Sequence, residues 1–335
     1  MRLLVTGGLG FIGSNLVRWI LQQHPDVELV NVDAETYAGN PANLADLLPH
    51  PRYRGVRADV ADRATMRALF HDWHPEAVVH LAAESHVDRS LQDATPFLRT
   101  NVEGTQVLLD AARETGVGRF VYVSTDEVYG SLGPTGVFTE TSPLAPRSPY
   151  AVSKAAGDLL AQAAYHTWRQ PVIITRCSNN YGPYQYPEKF IPLVILNALE
   201  GQPIPLYGDG QQVRDWIHVE DHVRGLWLAL TRGTPGRVYN LSARNEQPNR
   251  AVAETILALL GADPALLRTV RDRPGHDRRY ALDPSRAEQE LGFAPRIPWR
   301  EGLRQTIAWY HQHTAWWRAI REREDYQNYY QQQYG

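Results

Sequence analysis

The sequence is poor in cysteine, in lysine and in long apolar runs. Its 335 residues include one cysteine, Cys177, so no disulfide can form within the chain. No apolar stretch is long enough to cross a bilayer, and the chain enters the apolar run 3–5 without a preceding charged segment. These absences exclude a disulfide-stabilised fold and predict a cytoplasmic protein with no membrane partner.

An excess of charge of one sign is also missing. The formal net charge is -3, with 34 Lys and Arg against 37 Asp and Glu. A nucleic-acid-binding surface needs a concentrated basic stripe, so we expect no nucleic-acid partner. The only lysines are Lys154 and Lys189. From composition alone, codon bias and chance are the better explanation of their scarcity. An ammonium and a guanidinium nevertheless differ chemically, so both positions are candidate functional residues.

Hydrophobic residues make up 43% of the chain, enough for one large domain or two closely packed ones. In the first half, short β-branched runs alternate with segments of helical spacing. The predicted strands are 3–6, 28–32, 53–58, 77–81, 120–124 and 172–176. The predicted helices are 12–23, 64–73, 97–115 and 150–168. This alternation predicts an α/β fold, a Rossmann-like doubly wound parallel sheet, over residues 1–180.

Beyond residue 180 the pattern loosens, because five prolines between 183 and 205 interrupt short elements. Residues 181–214 and 246–320 are predicted to form a smaller substrate-binding region, with 215–245 returning to the first domain. The tail, 321–335, shows little apolar periodicity, and we expect it to fray or to serve a contact that the pattern does not identify.

Glycines at three regularly spaced positions follow the first predicted strand and open the first helix. Gly7, Gly10 and Gly13 suit a tight turn, close approach to a pyrophosphate and close helix packing. A glycine-rich turn of purely structural use is the alternative. Asp33 ends the second strand twenty positions after Gly13, where a carboxylate binds ribose hydroxyls and repels a 2′-phosphate. The motif therefore predicts an NAD site and disfavours NADP.

Tyr150 and Lys154 lie four residues apart, one turn along the same helical face. Oxidation of an alcohol needs a base, and a phenolate serves only if its pKa falls well below about 10. We expect Lys154 to lower that pKa and to bind the nicotinamide ribose. Taken alone, this spacing also fits an exposed helix face, but Ser124 and Thr125 at a strand end favour a hydride-transfer site.

The glycine spacing and the Tyr150/Lys154 pair resemble the extended short-chain dehydrogenase/reductase family, and the resemblance continues along almost the whole chain. Residues 124–130, Ser-Thr-Asp-Glu-Val-Tyr-Gly, resemble the dTDP-glucose 4,6-dehydratase branch of that family. The resemblance implies NAD as cofactor and dTDP-glucose as substrate. It also implies oxidation at C4, elimination of water across C5 and C6, and hydride return to C6.

Asp126 and Glu127 supply two carboxyl groups for the elimination. A C4 ketone acidifies the C5 proton, which Glu127 would remove, while Asp126 would protonate the departing C6 hydroxyl. Neighbouring carboxyls in a partly dry pocket push their pKa values apart, so one is protonated and one ionised near neutral pH. An Asp-Glu turn of structural use is the alternative.

The resemblance also implies site residues. The catalytic residues are Thr125, Asp126, Glu127, Tyr150 and Lys154. The cofactor-binding residues are Gly7, Gly10, Phe11, Ile12, Gly13, Asp33, Thr36, Asp59, Val60, Leu81, Ala82, Ala83, Thr100, Tyr150, Lys154 and Asn180. The substrate-binding residues are Ser85, Thr125, Asn179, Lys189, Phe190, Pro205, Tyr207, Arg214, Asn249, Arg273 and His276.

Alternatives remain at this point. A 4-epimerase or a GDP-mannose 4,6-dehydratase shares the fold, although the acidic pair disfavours the epimerase, and a catalytically silent NAD-binding regulator would need no acid and base. Residues 218–222, His-Val-Glu-Asp-His, do not have the residue order of a zinc-protease helix, in which the glutamate directly follows the first histidine, so no metal is expected. The apolar stripes of helices 97–115 and 150–168 predict a homodimer, because relatives pair these helices across a two-fold axis.

Overall fold

A computed structural model describes residues 1–334 of the chain. Its strands are β1 (Arg2–Thr6), β2 (Glu28–Asp33), β3 (Tyr53–Arg57), β4 (Ala77–His80), β5 (Arg119–Thr125), β6 (Val172–Cys177), β7 (Asn179–Tyr181), β8 (Ile204–Tyr207), β9 (Val213–His218), β10 (Val238–Leu241), β11 (Glu246–Pro248) and β12 (Leu267–Val270). Its helices are α1 (Phe11–Gln23), α2 (Arg63–Trp73), α3 (Val87–Gln92), α4 (Thr95–Leu98), α5 (Thr105–Glu114), α6 (Pro149–Trp168), α7 (Phe190–Leu199), α8 (Val219–Arg232), α9 (Asn249–Leu260), α10 (Trp299–Gln312), α11 (Thr314–Arg321) and α12 (Glu324–Tyr334).

Seven parallel strands form the main sheet, in the order β10-β6-β5-β4-β1-β2-β3. The chain starts at the centre with β1, winds outward to β3, then returns through β4 to the other edge. That reversal beside β1 is the switch point at which doubly wound sheets bind ligands. The predicted fold class is therefore confirmed. Strand β10 lies at the far edge, with Tyr239 opposite Thr175 of β6.

Helices cover both faces of the sheet because its central strands carry apolar residues on both faces. Leu3 and Val5 point to one face, where they join the core formed with α1 and α8. Leu4 points to the other face, in a core that includes Phe70 of α2 and Leu108 of α5. Successive side chains of a strand alternate between faces, so a continuous apolar run produces two cores.

A second group of elements packs beside the carboxyl ends of the main strands. Strands β11, β9 and β7 form a small sheet, and β8 pairs with β12. Their core is separate and includes Ile195 of α7, Trp216 of β9, Ile256 of α9 and Leu303 of α10. This arrangement encloses a crevice between the two groups. The domain boundaries at residues 180, 214 and 245 stay a prediction.

The predicted helix 97–115 is interrupted. A wider π-helical turn, Arg99–Gly104, separates α4 from α5. Inside it, the buried Asn101 amide donates to the Glu84 carbonyl oxygen (3.0 Å) and to Ser153 Oγ (2.8 Å). These polar contacts compete with the hydrogen bonds of a regular α-helical turn. π-Helical turns often occur at functional sites.

Of the two alternatives for the tail, fraying is wrong for residues 324–334, because they form α12, and the helix makes contacts with other elements instead. Tyr326 and Tyr329 are buried, 2% and 5% exposed. Tyr326, Tyr329 and Gln333 recur at helical spacing, and a periodicity carried by amphipathic side chains escapes a search for aliphatic residues.

A buried ion pair ties α6 to the main sheet. Arg176 of β6 donates to Asp158 of α6 through Nε (2.8 Å) and Nη2 (2.9 Å), and the two side chains are 3% and 0% exposed. Because α6 also carries Tyr150 and Lys154, this pair holds the helix against the strands that end at the crevice.

We predict that Asp158→Asn lowers the free energy of unfolding by about 3 to 5 kcal/mol, since the substitution leaves the Arg176 guanidinium buried and uncompensated. Asp110→Asn is the control, because Asp110 pairs with the half-exposed Arg63, and its loss should cost less than about 1 kcal/mol. Urea denaturation measures both values, and equal losses would contradict the prediction.

Candidate active site

The glycine loop between β1 and α1 is shaped by close contacts that exclude side chains. Gly7 has φ +75°, and a Cβ there would lie 2.6 Å from the Ala82 backbone nitrogen. A Cβ at Gly13 would collide with the Gly7 carbonyl oxygen. A Cβ at Gly10 would meet only that same oxygen, at 3.3 Å, and otherwise enter the crevice. Gly7 and Gly13 thus serve packing, whereas Gly10 keeps space open beside the α1 N-terminus.

That space fits a dinucleotide. Gly10 is the N-cap of α1 and offers no side-chain cap, so the first-turn N–H groups face the crevice with a favourable dipole for phosphate. Asp33 closes the loop, accepting hydrogen bonds from the backbone N–H groups of Leu9 and Glu35 (2.9 Å each). Asp59, farther along the crevice, pairs with Arg99 at 2.8 Å.

Two adjoining pockets open at the carboxyl edge of the sheet. The first pocket has a volume of about 340 Å³ and brings together every residue that the resemblance assigned to the cofactor, together with all the assigned catalytic residues. The second has a volume of about 180 Å³ and is lined by Ser85, Asn179, Lys189, Phe190, Pro205, Tyr207, Arg214, Asn249, Arg273 and His276. The pockets share walls that include Ser85, Glu127, Asn179 and Lys189.

Tyr150 and Lys154 both face the first pocket from α6. Lys154 is 4% exposed, donates from Nζ to the Val123 carbonyl oxygen (2.7 Å), and has its pKa lowered to about 8 by burial. Burial and the Glu127 carboxylate raise the pKa of Tyr150 well above its usual value, while a hydrogen bond with Thr125 opposes that rise. Lys154 is not among the main influences on the pKa of Tyr150 in this arrangement, and the expectation that Lys154 lowers that pKa stays a prediction.

Asp126 and Glu127 form a short 3₁₀ turn, Asp126–Tyr129, directly after β5. Thr125 Oγ1 donates to one oxygen of the buried Asp126 carboxyl (3.1 Å), and the other oxygen has no partner. Burial and the Glu127 charge raise the pKa of Asp126 well above its usual range. Burial also raises the pKa of Glu127, but Arg273, Arg214 and Lys189 lower it in opposition. Asp126 is thus the more easily protonated of the two.

Cations converge on the second pocket. Lys189 Nζ donates to the Ser85 carbonyl oxygen (3.0 Å), and Arg214 donates to the Asp277 carbonyl oxygen (3.0 Å). Arg273 pairs with Asp88 at 2.8 Å. These contacts leave further donors of each cation available, as anion binding requires.

Sequence reasoning missed several residues that line these pockets. They are Glu84, Asp88, Gln185, Tyr186, Glu188 and Tyr280. Glu188 stood in the segment that carries Lys189, and its buried carboxylate pairs with Arg89 at 3.0 Å. A carboxyl beside one of only two lysines is a signal that could have identified it. Asp88 had no such signal, because its partner Arg273 is far along the chain.

Within residues 1–334 no cluster of three or more candidate metal ligands occurs. Cys177 is buried at the end of β6, and burial raises its thiol pKa to about 12. Over the same residues, no helix combines the length and apolarity that a membrane span requires.

Comparison with known proteins agrees with this geometry. The family model described as GDP-mannose 4,6 dehydratase matches residues 4–306. A dTDP-glucose 4,6-dehydratase of Streptomyces griseus is 54% identical, covering 95% of this chain and 96% of the relative. The crystal structure of DesIV, a dTDP-glucose 4,6-dehydratase from Streptomyces venezuelae with NAD bound, superposes with a TM-score of 0.93 at 50% identity, over 96% of this chain and all of that one.

A doubly wound sheet with a glycine-rich dinucleotide loop and a Tyr/Lys pair on the helix after β5 defines an enzyme of the extended short-chain dehydrogenase/reductase class. Several relatives that are about 50% identical and match almost the full chain are dTDP-glucose 4,6-dehydratases. The chain belongs to the dTDP-glucose 4,6-dehydratase family.

We predict that Gly10→Ala weakens NAD binding at least about tenfold, because a methyl group would occupy the space reserved for a phosphate. The melting temperature should change little, since only one atom lies near the added group. Gly13→Ala is the contrasting variant and should unfold the loop. Titration calorimetry with NAD and thermal melting test both, and unchanged NAD affinity in a folded Gly10→Ala would contradict the prediction.

Proposed function

We propose that this protein dehydrates dTDP-glucose to dTDP-4-keto-6-deoxyglucose, using NAD that is regenerated in each cycle. One observation carries the proposal. Asp126, Glu127 and Tyr150 line a single pocket with a dinucleotide loop at its other end. An epimerase needs the hydride-transfer residues alone, whereas two carboxyls with opposed surroundings provide for a second, eliminating reaction.

The first step is oxidation at C4. Tyr150 accepts the proton of the C4 hydroxyl, and Thr125 orients that hydroxyl from the end of β5. What the cofactor supplies when bound is a hydride acceptor at C4 and later a hydride donor at C6. Lys154, held by its bond to the Val123 carbonyl oxygen, would donate to the nicotinamide ribose, and its charge would oppose the burial that raises the pKa of Tyr150.

Elimination follows at C5 and C6. Glu127 removes the C5 proton, which the C4 ketone has acidified, and its cationic neighbours favour the ionised form that a base requires. Asp126 protonates the C6 hydroxyl, which leaves as water. Its desolvated carboxyl with one unpartnered oxygen suits the protonated form that an acid requires. When C6 is reduced, Glu127 returns a proton to C5, which completes the saturated 4-keto-6-deoxy sugar.

The second pocket takes the nucleotide. Arg214, Lys189 and Arg273 bind the diphosphate, while Pro205 and Tyr207 flank the base. Asn179 borders both pockets and contacts the sugar. This assignment places the sugar between Glu127 and Tyr150, where the two pockets meet.

The reaction in deuterated water tests the function. We expect a product lighter by one water, with solvent deuterium at C5 and the former C4 hydrogen at C6. An epimerase would return a product of unchanged mass. Mass spectrometry and proton NMR distinguish these outcomes, and the absence of dehydration would refute the proposal.

We predict that Glu127→Gln lowers kcat by about 10²- to 10⁴-fold and abolishes deuterium incorporation at C5, because an amide cannot act as the base. Glu114→Gln is the control, since Glu114 forms an exposed pair with Arg67 away from both pockets. Exchange at C5 that survives in Glu127→Gln would assign the base to another group.

The same pair predicts a bell-shaped dependence of kcat on pH. Glu127 must be ionised, so activity falls as pH drops through its raised pKa. Asp126 must be protonated, so activity falls as pH rises through its raised pKa. Steady-state rates across the pH range provide the measurement. A profile that rises without an alkaline fall would contradict the assignment of Asp126 as acid.

We further propose that the protein is a homodimer. Val152, Ala156, Leu159 and Ala163 form an apolar stripe along α6, in which Val152 and Leu159 are 49% and 54% exposed. Leu98 of α4, 52% exposed, offers a similar surface on the preceding helix pair. A self-complementary helical face of this kind suits a two-fold interface. The cytoplasmic location stays a prediction.

Light scattering at micromolar concentration should give twice the chain mass of 37.9 kDa. Leu159→Glu should shift the mass toward that of one chain, because it places a charge in an apolar interface. Leu48→Glu, at a leucine 66% exposed outside this stripe, should leave the mass unchanged. A monomeric wild-type protein would refute the dimer.

A further inference from the structure

The last helix, α12, reaches the second pocket from the outside. Two tyrosines anchor it: the buried Tyr326 donates to the Pro187 carbonyl oxygen (3.4 Å), and the partly buried Tyr330 accepts from the Asn197 amide (2.9 Å). Its last described residue, Tyr334, lines the second pocket together with Pro205, Tyr207, Asn249 and His276. The helix is therefore part of the pocket wall.

A chain of hydrogen bonds links α12 to the residues around the nucleotide. Gln333 Nε2 donates to Tyr207 Oη (2.5 Å), and Tyr207 donates to Asp88 Oδ2 (3.1 Å). The same carboxylate accepts from Arg273 (2.8 Å) and from Tyr329 of α12 (3.4 Å). Asp88 thus joins an aromatic side chain, a phosphate-binding cation and the last helix in one network.

Two features indicate that this end of the pocket receives a planar group with polar edges. The Tyr207 and Tyr334 rings stand 6.1 Å apart, centroid to centroid, with an interplanar angle of 41°. Asn249 Oδ1 is a buried acceptor that lines the same pocket and has no partner. Aromatic walls and an unpartnered amide oxygen suit a pyrimidine, whose N–H group can donate while its face packs on a ring.

We propose that α12 recognises the nucleotide half of the substrate, with Tyr334 forming a wall of the base site and Gln333 acting as a positioning residue that holds Tyr207. The assignment rests on the proposed function for the identity of the nucleotide. It gives the Tyr- and Gln-rich tail a defined role in substrate affinity, outside the sites of hydride and proton transfer.

The test measures nucleotide binding and turnover separately. Titration calorimetry with dTDP reports the nucleotide site alone, and steady-state kinetics with dTDP-glucose give KM and kcat. We expect Gln333→Ala to raise the Kd for dTDP about fivefold, as for the loss of one hydrogen bond. Tyr334→Ala should raise it about tenfold through lost aromatic contact. In both variants KM should rise in parallel while kcat stays within about twofold of wild type.

Gln332→Ala is the matched control, because Gln332 is the exposed neighbour of Gln333 on the same helix. It removes the same side chain from the same turn and should change neither Kd nor KM. Tyr334→Phe keeps the ring and should retain most of the affinity. Thermal melting shows whether Tyr334→Ala loosens the helix. If it does, the dTDP affinity of Tyr334→Phe decides whether the aromatic ring itself contributes to binding.

A double-mutant cycle isolates the positioning role. In a Tyr207→Phe background the acceptor of the Gln333 bond is gone, so Gln333→Ala should cause no further loss of dTDP affinity. Independent, additive losses would overturn that role. If Gln333→Ala and Tyr334→Ala both bind dTDP with the same Kd as the control Gln332→Ala, the whole proposal is overturned. If the wild type binds dTDP but does not dehydrate dTDP-glucose, the proposed function fails while the α12 assignment stands.

Discussion

The molecule depends on a constraint of parallel sheets: strands that run in one direction all end at one edge. Strands β1, β4, β5 and β6 end at Thr6, His80, Thr125 and Cys177, so the loops that follow them meet at the same crevice. The glycine loop, the Leu81–Ser85 segment, the carboxyl pair and the asparagines come from four distant parts of the chain. No local interaction brings them together, and the parallel register alone does so.

Removal of water decides what these groups do once assembled. Asp126 and Glu127 are neighbours with similar intrinsic pKa values, and only their surroundings separate them. Asp126 is desolvated at the wall of the first pocket, where one oxygen lacks a partner, whereas three cations act on Glu127. The same physical effect lowers the pKa of Lys154. Burial therefore assigns acid and base roles that residue type alone leaves symmetric.

Much of the fold could be predicted, because its signals are local. The strand runs, the helix after the glycine loop and Asp33 at the end of β2 each depend on periodicity or spacing within one segment. The interrupted helix at 99–104 could not be predicted, since it results from Asn101 bonding to Glu84 and Ser153. The α12 helix could not be predicted for a related reason. Its buried face consists of tyrosines whose hydroxyls need partners supplied by other elements.

The sequence by itself determined the class of fold, the dinucleotide loop, the Tyr/Lys pair and the carboxyl pair, because each is a short pattern with its own physical requirement. Only the tertiary structure decided which of the two carboxyls is more readily protonated, and that burial raises the pKa of Tyr150. It also decided that Asp88 connects Arg273, Tyr207 and the last helix. These outcomes depend on desolvation and on contacts between residues far apart in the chain, which no local pattern encodes.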